Sequence, residues 1–353
     1  MAPWIRKGAF YTIFRPISSV STPAAAILAV LLVSVLIIAG CLAPGESTPV
    51  TTPATIQTSS ATVIEVTTPP VPETIATTSP PPAAKITPNA TLPQGTIMET
   101  GAKKQAYSYA IRTRSQFLYL TTYDGVADYL QKKYPDRPTD FYNPSTLEPY
   151  YRQYVSDPVQ EKYLADFVRN IHDRSELREE RVRIAVSLIQ HIPYAPTTRT
   201  LYPYEVLHYD MGKCEDKSIL MAYVLSQMGY GTSLFLYYPE HHMALGLKCP
   251  KQYSYNGSGY CFVETTAPAI MTYSNGTYVE VGKLVSTPEI IKISDGDSFD
   301  QISEEYTDAR SFETVINSAS WNGSVMILDT INYNQFGYLR QKYGLWDIDI
   351  RQL

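Results

Sequence analysis

The chain has 353 residues and a formal net charge of −5 at pH 7. No block of Lys and Arg stands out along it, so a nucleic-acid partner is not expected. Tyrosine is frequent, with 29 residues. Its rings usually pack inside a protein, and a surface for carbohydrate or peptide is the alternative use for them.

Residues 1–41 predict an attachment to the membrane. Basic side chains, with no acidic ones, precede an apolar run over 24–40, a combination typical of an export signal or a membrane anchor. The run ends in Ile-Ile-Ala-Gly-Cys at 37–41, which resembles the lipobox of prokaryotic lipoproteins, in which Cys41 is lipidated. An uncleaved anchor, with no role for Cys41, is the alternative. Both interpretations predict a protein anchored in the cell membrane with an extracytoplasmic globular part.

Residues 42–97 differ in composition from the rest of the chain. Thr, Pro, Ser and Ala dominate, aromatic residues are absent and charges are few. Such a segment cannot bury enough apolar surface to offset its chain entropy, so we predict a disordered stalk. The globular part is expected to comprise a helical N-terminal part over 98–176, a central core over 177–295 and a C-terminal α/β extension over 296–353.

The hydrophobic periodicity of the globular part changes along the chain. A helical period predicts helices over 106–133, 159–174, 177–191 and 215–228. An alternating period then predicts strands over 232–238, 242–248 and 260–266, and further short strands over 278–293. Helices followed by a sheet along the chain indicate an α+β fold.

Cys214 stands at the start of the fourth predicted helix, in the segment Gly-Lys-Cys-Glu-Asp-Lys-Ser at 212–218. The thiolate is the nucleophilic form of cysteine, and the unpaired N–H groups at a helix start favour it. A buried structural cysteine is the alternative interpretation. Glu215 and Asp216 are expected to favour the helix dipole, and a contact between Asp216 and a substrate is the alternative for that residue.

A histidine and then an acid follow on two predicted strands, as His242 and Glu264. An imidazole would activate the thiol, and a carboxylate would orient the imidazole. Both residues have even numbers on strands joined by a hairpin, so they share a sheet face if the register is even. His241 is then expected to face the other way. No metal-ligand motif accompanies these residues, so we expect neither a metal nor a cofactor.

Together these features resemble the transglutaminase-like superfamily, whose core is papain-like. Its members place Gly-x-Cys at a helix start, then His and an acid on adjacent strands. The segments IQHIPYAP at 189–196, YPYEVL at 202–207 and GYGTSLFLYYPEHHMALGL at 229–247 resemble the prokaryotic, extracytoplasmic branch. The resemblance implies N-terminal helices packed on an antiparallel sheet, with the catalytic core at 177–295.

The resemblance also implies roles for individual residues. Cys214 is the nucleophile, His242 the general base and Glu264 the orienting acid. The backbone N–H of Cys214 contributes to an oxyanion hole, for which Gln190 is the candidate second donor. Many relatives have Asp at the position of Glu264, and no calcium-loop spacing occurs in the sequence.

The expected function is that of a cysteine enzyme acting on amide, peptide or isopeptide bonds through a thioester, by hydrolysis or by acyl transfer. Its substrate would be a peptide or protein at the cell envelope. The alternative is a non-catalytic transglutaminase-like module that binds surface peptides or glycans.

Two covalent modifications are also expected. Cys249 and Cys261 occupy mirrored places on a predicted hairpin whose turn lies near 256–257, so a disulfide between them is predicted in an exported protein. Asn-x-Ser/Thr sequons predict glycosylation at Asn89, Asn256, Asn275 and Asn322.

Overall fold

A computed structural model describes residues 98–353, apart from residues 134, 141, 279–280 and 346–347. The predicted anchor, the stalk, Cys41 and Asn89 lie outside the described residues. The helices are α1 Asp124–Gln131, α2 Pro144–Val155, α3 Pro158–His172, α4 Arg178–His191, α5 Pro203–Tyr209, α6 Cys214–Gln227, α7 Ser303–Ser318 and α8 Thr330–Tyr343. Over the described residues, no helix combines the length and apolar character that crossing a bilayer requires.

The strands are β1 Ala102–Ile111, β2 Arg114–Tyr123, β3 Thr232–Tyr237, β4 His242–Lys248, β5 Tyr260–Val263, β6 Thr277–Tyr278, β7 Gly282–Lys283, β8 Glu289–Ser294, β9 Ser320–Asn322, β10 Val325–Leu328 and β11 Ile350–Gln352. Helices and largely antiparallel sheets occur together, so the α+β class is confirmed. The predicted helices over 159–174, 177–191 and 215–228 are confirmed as α3, α4 and α6. The strand predicted over 260–266 ends earlier, at Val263.

A four-stranded antiparallel sheet in the order β5-β4-β3-β8 supports α6. This helix packs against β3 and β4, while α4 and α5 pack against the helix. Its residues are buried from Asp216 to Leu225, as is typical of a helix enclosed on all sides. The start of α6 is therefore held in a fixed position relative to the strands.

The two faces of this sheet belong to different apolar clusters. Leu234 and Leu245 join the main core, which includes the apolar residues of α6. A smaller core on the other face consists of Phe235, Tyr237, Ala244, Phe262 and Leu284. The division follows from the alternation of side chains along a strand.

The helix predicted over 106–133 is wrong for most of its length. Residues 102–123 form a long antiparallel hairpin, β1–β2, and only the last part of the predicted segment is helical, as α1. Alternate residues such as Leu118 and Leu120 are buried, which is the period of a strand. The two-residue turn, Arg112 and Thr113, has positive φ at both positions. Such turns usually contain Asn or Gly, so the usual sequence signal for a hairpin was missing.

The C-terminal residues 296–353 contain α7, α8 and a small sheet in the order β11-β10-β9. Arg183 of α4 forms an ion pair with the buried carboxylate of Glu305 in α7. The C-terminal residues are thus tied to α4. Burial of both partners makes this pair costly to break.

A disulfide joins Cys249, which follows β4, to Cys261 in β5, with 5.8 Å between the two Cα atoms. The predicted pairing is present in the structure. Both half-cystines are buried in the main core. Cys214 is left as a free, partly buried thiol.

We expect the double variant Cys249→Ala/Cys261→Ala to lose about 2–4 kcal/mol of unfolding free energy, because the bridge restricts the unfolded chain. Urea unfolding followed by circular dichroism measures the loss. The variant Cys214→Ala is the matched control, since it removes a cysteine and leaves the bridge intact. Equal unfolding midpoints for the double variant and the wild type would contradict the expectation.

Candidate active site

Cys214 is the first residue of α6, and the helix start is held by a buried carboxylate. Asp216 accepts hydrogen bonds from the backbone N–H of Lys213 at 3.1 Å, the N–H of Leu201 at 2.8 Å and the hydroxyl of Thr197 at 2.8 Å. Burial raises the pKa of Asp216 to about 6, although these hydrogen bonds act in the opposite direction. Asp216 therefore positions the turn before Cys214, and its oxygens are already occupied by protein donors.

The neighbouring Glu215 is also engaged within the protein. Its carboxylate accepts a hydrogen bond from the Tyr151 hydroxyl at 3.1 Å and pairs with the Lys213 ammonium at 3.0 Å. Both acidic residues lie in the first turn of the helix, where a negative charge is favourable. The prediction that they serve the helix start agrees with these contacts.

His242 lies at the start of β4, and its ring contacts Glu264. The Nε2 atom of His242 is 2.9 Å from Oε2 of Glu264, and both side chains are fully buried. Burial acts to lower the pKa of His242, but hydrogen bonds with the Cys214 and Glu264 side chains raise it to about 10. Since Glu264 occupies Nε2, the nitrogen that remains for the sulfur is Nδ1. The three predicted residues are thus brought together.

Glu264 follows the last residue of β5 and keeps its charge without contact with water. Its Oε1 accepts hydrogen bonds from the N–H of Thr265 at 2.9 Å, the N–H of Thr266 at 2.8 Å and the Thr266 hydroxyl at 2.7 Å. Burial acts to raise the pKa of Glu264, but the contact with His242 and the hydrogen bonds from Thr266 lower it. The carboxylate is therefore available as an ionised partner for the imidazole.

His241 is in a different position from His242. Its side chain is exposed, and its backbone adopts a positive φ of 50° in the turn before β4. Its carbonyl oxygen lies 4.0 Å from the Cys214 sulfur. His241 therefore lies near the Cys214 thiol through its backbone carbonyl and not through its imidazole.

The structure gives no support to Gln190 as the second oxyanion donor. Its side-chain amide is buried and donates to the carbonyl oxygens of Glu264 at 2.9 Å and Ala269 at 3.0 Å. Both donors of the amide are used in holding the segment after β5 against the end of α4. Gln190 is consequently a support for Glu264, and the sequence did not distinguish these two roles.

Lys217 is a feature of the site that the sequence analysis did not identify. It is fully buried one turn after Cys214, and its ammonium donates to the carbonyl oxygens of Gln190 at 3.1 Å, Ile192 at 2.6 Å and Thr266 at 3.0 Å. Burial lowers its pKa to about 7. The available signal in the sequence was a lysine two residues before the apolar run of a buried helix, because a buried charge requires several hydrogen-bond partners.

The predicted glycosylation sites that the structure describes are at the surface. Asn256, Asn275 and Asn322 are exposed. The side-chain amide of Asn275 donates to Glu313 at 2.8 Å. Exposure is compatible with modification, which stays a prediction.

Within the part of the chain that the structure describes, no group of three or more His, Cys, Asp or Glu side chains is arranged to hold a metal ion. Comparison with models of known protein families found no match, and comparison with curated proteins found none. The geometry of Cys214, His242 and Glu264 is therefore the basis for a functional proposal.

The raised pKa of His242 predicts a pH dependence of stability. A group whose pKa is raised from 6.5 to about 10 in the folded state stabilises that state fully below pH 6.5, and its contribution is lost as the pH rises through 10. The variant His242→Gln cannot titrate. The difference in unfolding free energy between wild type and variant should therefore shrink from pH 6.5 towards pH 10.

Urea unfolding of both proteins at a series of pH values measures this difference. Taking the difference removes titrations that the two proteins share, including that of Lys217. A difference that stays constant across the window would contradict the assignment of a protonated His242.

Proposed function

We propose that the chain is a cysteine enzyme of the transglutaminase-like type that acts on amide, peptide or isopeptide bonds of peptides or proteins in the cell envelope. The observation that carries the proposal is the contact of His242 with both Cys214 and Glu264. The three residues come from the start of α6, the start of β4 and the segment after β5. Strongly shifted ionisable groups that meet a nucleophile are concentrated at catalytic sites.

The proposal includes a papain-like core. A helix that begins at the candidate nucleophile packs on an antiparallel sheet, and two adjacent strands of that sheet lead to the histidine and the acid. This arrangement supports the resemblance noted in the sequence. The disulfide between Cys249 and Cys261 supports an extracytoplasmic location, because disulfides persist in oxidising compartments.

The raised pKa of His242 sets the direction of the proposed first step. At neutral pH the imidazole carries a proton, and a positive charge beside a cysteine sulfur favours the thiolate, which is the nucleophilic form. The Cys214 sulfur attacks the carbonyl carbon of the amide. The carbon–nitrogen bond then breaks as the proton on Nδ1 of His242 passes to the leaving nitrogen. An amine departs and the acyl group remains on Cys214 as a thioester.

The second step regenerates the ion pair. Water or an amine attacks the thioester carbonyl, and the neutral imidazole of His242 accepts its proton. The carbon–sulfur bond breaks, which restores the thiolate and the imidazolium and releases an acid or a new amide. Glu264 holds the ring throughout by accepting the hydrogen on Nε2. The N–H of Cys214, in the first turn of α6, has no acceptor within the helix and is suited to the developing oxyanion.

Alkylation by iodoacetamide tests the proposal without a known substrate. Cys214 is expected to react selectively at pH 6, and His242→Ala should lower the rate about 10-fold or more because the imidazolium that stabilises the thiolate is lost. Glu264→Gln should have a smaller effect, since the ring remains but is less firmly oriented. Mass spectrometry of the modified peptide gives the rates.

His241→Asn is the matched control. It removes the neighbouring imidazole, and Asn tolerates the positive φ at this position. This variant should keep the wild-type alkylation rate. An inert Cys214 in the wild-type protein would instead favour the non-catalytic binding module.

Turnover gives a second test once a substrate is found with libraries of peptides and cell-envelope fragments. Cys214→Ser and His242→Ala should each lower kcat/KM about 10³-fold or more, because members of one catalytic unit act together. Glu264→Gln should lower it by about 10- to 10⁴-fold. Unchanged turnover in Cys214→Ser would overturn the proposal.

A further inference from the structure

A polar cavity lies on the face of the central sheet that bears the smaller core. Its volume is about 320 Å³, and Tyr237, Phe262 and Leu284 contribute to its lining. This volume falls at the lower end of the roughly 300–1,000 Å³ that small-molecule sites occupy. Cys214, His242 and Glu264 do not line it. The cavity is therefore distinct from the candidate active site.

Aromatic rings and uncharged polar groups form the walls. Tyr253 and Tyr306 lie with their ring centroids 5.2 Å apart, and Tyr255 packs on Phe235 at 5.5 Å. The polar groups are hydroxyls and amides of Ser254, Asn256, Ser274, Asn275 and Ser286. Hydroxyls and amides both donate and accept hydrogen bonds. Such a lining suits a ligand whose own surface consists mostly of hydroxyl groups.

Two buried hydroxyls of lining residues make no hydrogen bond of good geometry with the described residues, although the Tyr255 hydroxyl is near enough to one of them to affect its pKa. They belong to Tyr237, which is 1% exposed, and to Thr272. Burial is the main cause that raises the pKa of Tyr237, and the neighbouring Tyr255 raises it further. The hydroxyl of Tyr237 therefore remains neutral. A buried hydroxyl without a partner costs free energy. A ligand that supplies hydrogen bonds at this position would recover that cost.

The backbone of Thr272 adds an independent observation. Its φ is 71°, and a β-branched residue rarely adopts this left-handed conformation. Strain of this kind concentrates at binding sites, where it orients a side chain. Here it holds Thr272 in the lining of the cavity.

The positive charge of Arg310 at the cavity wall is paired with an acid outside the lining. Arg310 lines the cavity, and its guanidinium pairs with Glu313 at 2.9 Å. Glu313 also accepts the amide of Asn275. A peptide would need apolar pockets or charges to accommodate its side chains. The cavity therefore favours a neutral ligand rich in hydroxyls over a peptide.

We propose that this cavity binds a neutral saccharide, with a sugar ring against the tyrosine rings and its hydroxyls bonded to Tyr237 and Thr272. The site goes beyond the proposed enzyme activity and does not depend on it. Two contacts connect it to the catalytic region. Tyr237 pairs with His242 across β3 and β4, with 6.3 Å between the ring centroids. Glu240, two residues before His242, accepts hydrogen bonds from the backbone N–H groups of Val285 and Ser286.

Saturation-transfer NMR tests the proposal on the full-length protein. The probes are neutral di- and trisaccharides of glucose, galactose, mannose and N-acetylglucosamine. Production in a host without N-glycosylation keeps Asn256 and Asn275 unmodified, and a detergent without sugar head groups avoids competition. Binding of at least one probe is expected at concentrations up to about 10 mM.

Variants assign the binding to the cavity. Thr272→Val removes the hydroxyl and keeps the β-branched shape, and it should weaken binding about 2- to 10-fold. Tyr306→Ala should weaken binding by about the same factor through loss of the ring, and it serves if Thr272→Val fails to fold. Tyr338→Ala is the control, since this half-exposed tyrosine lies outside the cavity and should leave binding unchanged.

Three results would overturn the inference. They are the absence of binding by every probe, binding that neither cavity variant weakens, and displacement of the bound sugar by a neutral peptide at equal concentration. All three are measured on protein whose Cys214 has not been alkylated. Failure of sugar binding would therefore leave the alkylation test of the proposed enzyme unaffected.

Discussion

The carboxylate of Glu264 is fully buried, and the arrangement around it follows from the cost of keeping a negative charge away from water. One oxygen accepts three hydrogen bonds from the two residues that follow, and the other contacts His242. These hydrogen bonds bend the chain directly after β5. The carbonyl oxygen of Glu264 then receives the amide of Gln190, and that of Thr266 receives the ammonium of Lys217. One buried charge thus connects the ends of α4, α6, β4 and β5.

The direct contacts of His242 with Cys214 and Glu264 explain why His242 holds its proton more firmly than Lys217. An imidazole is ordinarily the weaker base, but the pKa of His242 is about 10 and that of Lys217 is about 7. His242 contacts the ionised carboxylate directly, whereas the ammonium of Lys217 contacts neutral carbonyl oxygens in a buried position. Carbonyl dipoles compensate the loss of hydration less fully than an opposite charge does. The positive charge is therefore concentrated at the ring beside the sulfur.

The order of residues along the sequence was enough to predict the candidate triad and the disulfide. Cys214 at a helix start, His242 at a strand start and Glu264 directly after a strand depend on local periodicity, which short segments carry. Parity alone did not predict their meeting, because the even-numbered residue Ala244 of β4 faces the smaller core and not α6. The β1–β2 hairpin could not be predicted in this way, because the Arg112–Thr113 turn lacks the residues that usually mark it. The roles of Gln190 and Lys217 depend on which distant carbonyl oxygens the fold leaves without donors. That information belongs to the tertiary structure.

Strand alternation also determines how chemistry is distributed over the central sheet. Residues with odd numbers on β4, such as Met243 and Leu245, face the helix that begins with Cys214, and Ala244 faces the smaller core. His242 lies at the first position of the strand, where the start of α6 and the sheet end meet, so its ring reaches Cys214 while it remains next to Tyr237. A close-packed interior transmits small displacements between neighbours. The ring of Tyr237 therefore lies between the cavity and the imidazole of His242, so one close-packed side chain belongs to the surroundings of both.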